Sequence, residues 1–136
     1  MYQQAQTAVR AALSSTVRRP MGPVPPDLDL SHLIGVQLNQ ICIGPYDLQF
    51  RFGDSVIACQ GKVLVEAEGD TVQIFDGREW GDTRVLTKVS GRDAFAWAIE
   101  ASHEFSVSLA GGAKLRFIST DCQHEEFVIH PQVWVV

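Results

Sequence analysis

The chain reads as an α+β domain, mostly antiparallel β, in which two similar β-meander units close a small barrel or sandwich. One short crossing helix and an N-terminal helical extension complete it. Three observations lead there. Tyr46, Leu48, Phe50 and Phe52 alternate with Asp47, Gln49 and Arg51, the pattern of a strand with one face in a core and one in water. Short apolar runs of this kind follow one another, punctuated by Gly44-Pro45, Gly53-Asp54, Gln60-Gly61 and Gly69-Asp70, as in a meander. The landmarks then repeat: Gly35 and Gly91 each precede a strand and lie 56 positions apart, Leu48 and Phe105 open matching strands 57 apart, and Val56 and Leu115 follow glycine turns 59 apart. Two copies are too few for a solenoid, so they are expected to share one core.

Composition fits a single globular domain. The 136 residues are 46% apolar and 20% charged, ordinary for a folded chain. No apolar run approaches the roughly 18 residues of a membrane-spanning helix, so the expectation is a soluble protein without a membrane partner. Eleven basic against sixteen acidic residues leave a net charge of −5, which repels a phosphate backbone and argues against a nucleic-acid partner. Cys42, Cys59 and Cys122 form no C-x-x-C pair, so neither a disulfide framework nor a zinc knuckle is predicted, and a reducing, cytoplasmic location is.

The elements follow in order. Residues 1–26 contain Arg10, Arg18 and Arg19 and no acid, while residues 27–136 carry a charge of −8. Ala5, Ala8, Val9, Ala12, Leu13 and Thr16 recur at helical spacing, giving a modest amphipathic helix. Pro20, Pro23, Pro25 and Pro26 then impose an extended connector. The division expected is a helical extension and Pro-rich linker over 1–26, then one β-rich domain over 27–136 whose halves span about 33–75 and 90–130. Strands are predicted at 36–43, 46–52, 55–59, 62–67 and 71–75. Over 82–90, Asp82 or Thr83 can cap a helix that buries Val85, Leu86 and Val89 and stops at Gly91. Strands resume at 93–101, 104–109, 113–119 and 125–129, and Trp134 sits in an apolar tail that docks. The run 62–67 reads as an exposed edge strand protected only by Lys62 and Glu66, so homodimerisation through a β edge is expected.

Two groups of side chains could carry chemistry. The loop Asp76-Gly77-Arg78-Glu79-Trp80-Gly81-Asp82 surrounds one Trp with three acids and an Arg, the composition of a protein-recognition anchor. Asp76, Arg78, Glu79, Trp80 and Asp82 are the candidate binding residues, and the acidic body adds attraction for a basic protein partner. The competing reading folds Trp80 back onto the core. His124, Glu126 and His130, with Cys122, alternate along one strand and are the candidate metal ligands, joined by His103 if its strand pairs alongside. The competing reading is the wet face of a sheet. No G-x-S-x-G elbow is present, Gly111-Gly112 reads as a hairpin turn, and Glu66 and Glu68 lack an aromatic platform for a sugar. No catalytic residue and no cofactor are predicted.

The stretches Gly35-x5-Ile41-x2-Gly44-x-Tyr46-x-Leu48-x-Phe50, Leu109-x-Gly111-Gly112-x2-Leu115-x-Phe117 and Glu126-Phe127-x-Ile129 resemble a group of small uncharacterised bacterial domains over residues 33–130. Some similar proteins occur near toxin genes as candidate immunity proteins. The resemblance rests on core and turn positions and brings no catalytic residue with it. It implies an acidic, β-rich interaction domain that binds and occludes a protein partner through loops and a sheet edge. The alternative is a small-molecule or metal-binding β-barrel, with His124 and Glu126 on its strand face and the apolar interior as pocket.

Overall fold

The computed structural model describes residues 24–120, 126–131 and 134–135. The predicted N-terminal helix, with Cys122 and His124, lies outside the described residues. Among the described residues ten strands form: β1 (Leu38–Ile43), β2 (Leu48–Phe52), β3 (Ser55–Cys59), β4 (Lys62–Ala67), β5 (Asp70–Phe75), β6 (Ala94–Ala101), β7 (Glu104–Leu109), β8 (Ala113–Ile118), β9 (Phe127–His130) and β10 (Trp134–Val135). A 3-10 turn, Ser31–Leu33, precedes β1, and a one-turn helix α1, Leu86–Val89, precedes β6.

The strands make two five-stranded sheets of order β1-β2-β3-β9-β10 and β5-β4-β8-β7-β6, and every pairing is antiparallel. Alternation decides which faces meet. Leu48, Phe50 and Phe52 of β2, and Ala113, Leu115 and Phe117 of β8, are buried, while the residues between them face outward. At the centre, Phe117 meets Phe105 in a stack at 4.8 Å and Phe50 and Phe127 edge-on, each at 5.7 Å. Such ring pairs contribute about 0.5–1.5 kcal/mol beyond the area they bury. These rings fill the interior that the barrel reading offered as a ligand pocket.

Exchanging β1–β5 with β6–β10 converts one strand order into the other. The chain lays three strands in one sheet and two in the other, then does the same with the sheets swapped. The two sheets touch at a corner built by this exchange. Gly35 N–H donates to Ala94 O at 2.7 Å and Gly91 N–H to Leu38 O at 2.8 Å; Leu38 N–H donates to Arg92 O at 2.8 Å and Ala94 N–H to Val36 O at 2.9 Å. Each bond maps onto its mate by a shift of 56 residues. Gln37 and Asp93 form an antiparallel bridge between them. Both glycines have positive φ, +84° and +90°, a conformation open to glycine at little cost. Both units carry a bulge at the same place, between Leu38 and Gln40 and between Ala94 and Ala96. Upstream, Leu30 and Leu33 are buried just as Leu86 and Val89 are.

Several expectations are corrected. The sheets join at a corner without closing into a barrel. The helix predicted over 82–90 shrinks to Leu86–Val89, because the bonds that precede it, Leu86 N–H to Thr83 O, Thr87 N–H to Arg84 O and Lys88 N–H to Val85 O, span three residues each and make tighter turns than an α-helix. Tyr46 is 78% exposed, since the bond from Gly44 N–H to Asp47 O closes a turn around it and the strand starts only at Leu48. The strand 62–67 is β4, which pairs on both sides, with β5 and with β8, so it cannot be the dimerising edge. The outer strands are β1, β10, β5 and β6, of which β6 exposes Phe95. The register makes Ile57 the counterpart of Leu115, where spacing alone suggested Val56.

Candidate functional site: a polar cleft at the crossovers

Each unit must pass once from sheet to sheet, between β3 and β4 and between β8 and β9. The two crossovers meet at one end of the sandwich, where Gln60 N–H donates to Glu126 O at 2.6 Å. The register shows that they are unequal. Cys59 pairs with Phe127 as Phe117 pairs with Val63, and Ile57 with Ile129 as Leu115 with Val65. Equivalent residues are therefore 58 apart before the crossover and 64 apart after it, which places six additional residues in the second one. Glu126 and Lys62 occupy matching places in the two copies.

A cleft of about 420 Å³ opens here, lined by Gln60, Lys62, Gln73, Asp76, Gly77, Arg78, Thr120 and Glu126. It unites one end of the recognition loop with one of the candidate metal ligands. Asp76 is the organising residue of its rim. Its Oδ1 accepts from the backbone N–H groups of Arg78 and Glu79, both at 2.8 Å, and these bonds hold its carboxyl below the usual carboxylate range. Gly77, at φ +94°, crosses so close to Gln60 O that a Cβ there would collide with it. The turn is thus pressed onto the first crossover. Glu126 is 2% exposed and its carboxylate accepts from Thr120 N–H at 3.0 and 3.2 Å. Gly61 leaves no room for a Cβ against Glu126 and Phe127. Both carboxylates of the cleft are therefore engaged in shaping it. The side chains of Lys62 and Arg78 have no hydrogen-bond or ion-pair partner among the described residues, although the Arg78 charge also helps to lower the Asp76 pKa.

The remaining loop residues are placed differently. Trp80 turns back, lying tilted at 31° over Phe75 with ring centroids 4.3 Å apart and packing against the core. The Phe75–Trp80 bridge and the bond from Gly81 N–H to Ile74 O cover the outer edge of β5. Glu79 and Arg78 are exposed. Asp82 is paired bidentately with Arg84 at 2.7 and 2.9 Å, which lowers its pKa to about 2. The loop reading is thus divided, with Arg78 and Asp76 at the cleft and Trp80 in the structure beneath.

Of the metal candidates, the two that are described, Glu126 and His130, do not converge. Glu126 directly precedes β9 and His130 ends it, so their Cα atoms lie roughly 13 Å apart along an extended strand. β9 pairs with β3 and β10, not with the strand that follows His103. Ser102 Oγ lies 3.0 Å from Nδ1 of His103. Burial pushes the pKa of His130 down. Among the described residues no group of three or more His, Cys, Asp or Glu side chains is arranged to hold a metal ion. Glu66 and Glu68 are drawn apart as well, to Arg116 at 3.4 Å and Lys88 at 3.0 Å.

Gln60, Lys62, Gln73 and Thr120 escape the sequence reading because they come from separate strand ends and form no motif. The available signal was the extra length between the β8 and β9 counterparts, which marks where the two copies differ. No helix among the described residues is long and apolar enough to cross a membrane. No protein-family model, curated protein or solved structure matches the chain.

Proposed function

We propose that the chain is a small recognition domain that binds a protein partner at the crossover end of the sandwich and acts by occupying it, as an immunity-type protein does. The observation that carries this reading is the rigid display of charge at that end. Asp76 and Glu126 are held by backbone donors, while the exposed Arg78 and Glu79 project from a turn that Asp76 fixes. A preorganised polar surface lowers the ordering cost of association. The net charge of −5 favours approach of a partner that is basic overall. The buried Cys59 and half-buried Cys42 are free thiols, which suits a reducing, cytoplasmic setting.

Site-specific photo-cross-linking in the cells of origin tests the reading. A cross-linking residue at Arg78 should give one discrete protein adduct, whereas the same group at Asp54, in the β2–β3 turn at the opposite end, should give none. Equal adducts at both places, or none at position 78, would remove it.

A further inference from the structure

Resting on the recognition reading, we propose that the cleft receives a carboxylate presented by the partner, an Asp or Glu side chain on a protruding segment. The cleft contains two carboxylates and two cations, yet these are not equivalent. Asp76 is occupied by the N–H groups of Arg78 and Glu79, and Glu126 by that of Thr120. The side chains of Lys62 and Arg78, which have no hydrogen-bond or ion-pair partner among the described residues, line the same space together with those of Gln60 and Gln73. Asp76 and Glu126 keep their charge, which leaves the described lining neutral overall, but the hydrogen-bonding groups left without partners among the described residues are the donors of Lys62, Arg78 and the two amides, and a carboxylate is an acceptor for them.

The lining also selects among anions and among sources. Phosphate sites characteristically use converging backbone N–H groups, in a nest or at a helix N-terminus. Here the N–H groups of the one turn that could form such a nest already close on Asp76's own carboxylate. The donors left are two cationic side chains and two amides, offset by the charges of Asp76 and Glu126, so the lining suits the single charge of a carboxylate better than the larger charge of phosphate. Pockets for small organic ligands are mostly apolar with a few polar groups, whereas this one has seven polar or charged side chains around Gly77. A space of about 420 Å³ with such walls is better matched by hydrated side chains entering from a partner than by a buried organic molecule. Long-range attraction still favours a partner of net positive charge, so the acidic group is a local feature of it.

The test is an NMR titration of the full, ¹⁵N-labelled chain with N-acetyl-Glu-Glu-Glu-amide, N-acetyl-Lys-Lys-Lys-amide and inorganic phosphate. The glutamyl peptide should shift the side-chain NH₂ signals of Gln60 and Gln73 and the amides of Gly77 and Arg78 in a saturable way. Lys62→Gln and Arg78→Gln should each weaken that response about threefold or more, at an unchanged Tm. The proposal is overturned by any of four results: no shift with glutamyl peptide up to about 10 mM, the same shifts with the lysyl peptide, saturation by phosphate at equal or lower concentration, or unchanged affinity in both folded variants. An adduct at position 78 in cells combined with any of these would remove the carboxylate and leave partner recognition standing.

Discussion

Gln37 and Asp93 face one another across an antiparallel bridge, and each is the other's counterpart under the 56-residue shift that relates the corner bonds. A pseudo-twofold axis therefore runs between them. Around it the 3-10 turn and α1, the paired bulges and the first strands of both units are arranged alike.

Equivalence at this corner is measurable. An added Cβ at Gly35 or Gly91 meets nothing within 4 Å, and both have positive φ, so alanine there is penalised by backbone conformation alone. Gly35→Ala and Gly91→Ala should each cost about 1–2 kcal/mol. Urea unfolding should give values equal to within about 0.5 kcal/mol, because the two places share one environment. A cost confined to one of them would show that the corner is not symmetric in energy.

Phe117 touches three other rings and is completely buried. Phe117→Ala should lower stability by about 3–5 kcal/mol, a large part of the roughly 5–15 kcal/mol typical of a domain. Denaturant titration followed by near-ultraviolet circular dichroism reads this directly. A loss below about 1 kcal/mol would mean that the rings do not hold the two sheets together.

Trp80 distinguishes anchoring from capping. Its tilted contact with Phe75 makes it part of the core's edge, so Trp80→Ala should cost about 2 kcal/mol, a fall in Tm of roughly 8 °C. Arg78→Ala should leave Tm unchanged. An unaltered Tm in the Trp80 variant would return that residue to the recognition surface.

The 3-10 turn carries a titratable weakness. Both ring nitrogens of His32 are enclosed without a hydrogen-bond partner, and burial lowers its pKa despite the opposing pull of Asp29. The unfolded chain, with an ordinary histidine pKa of about 6.5, therefore takes up the proton first. Stability contributed by neutral His32 is present above that pH and is lost as pH falls toward the lower folded-state value. His130 is shifted in the same direction and adds to the loss. Asp29, Asp76, Asp82 and Glu100, also lowered, act only in the more acidic carboxylate range. Thermal melts should show Tm falling between about pH 7.5 and 5.5, with a smaller fall in His32→Leu. Identical slopes in the two proteins would show that the ring is solvated.

The strands were legible because each is a short period-two run bounded by turn residues, as Leu48, Phe50 and Phe52 illustrate. Their pairing was less so. Gln60-Gly61 resembles the other two-residue turns in sequence, yet it carries the chain to the opposite sheet, and that change made β4 an inner strand. A hairpin and a sheet switch differ in the angle between successive strands, which local composition does not encode. Tyr46 was assigned to the core face because its alternation runs on past the residue where Asp47 O closes the turn. The sequence marks Glu126 as a polar residue of the strand expected over 125–129, but its burial depends on Thr120 and Gly61, which approach it only after both crossovers are formed.

Interleaving of the two units also governs how the protein is made. β3 pairs on one side with β2 and on the other with β9, where Val56 meets His130, 74 residues later. On the ribosome, the first sheet therefore keeps a bare flank while β4 to β8 are synthesised, and neither half can complete its hydrogen bonding before the other emerges. The crossover end, which needs Glu126, therefore forms only after nearly the whole chain has emerged.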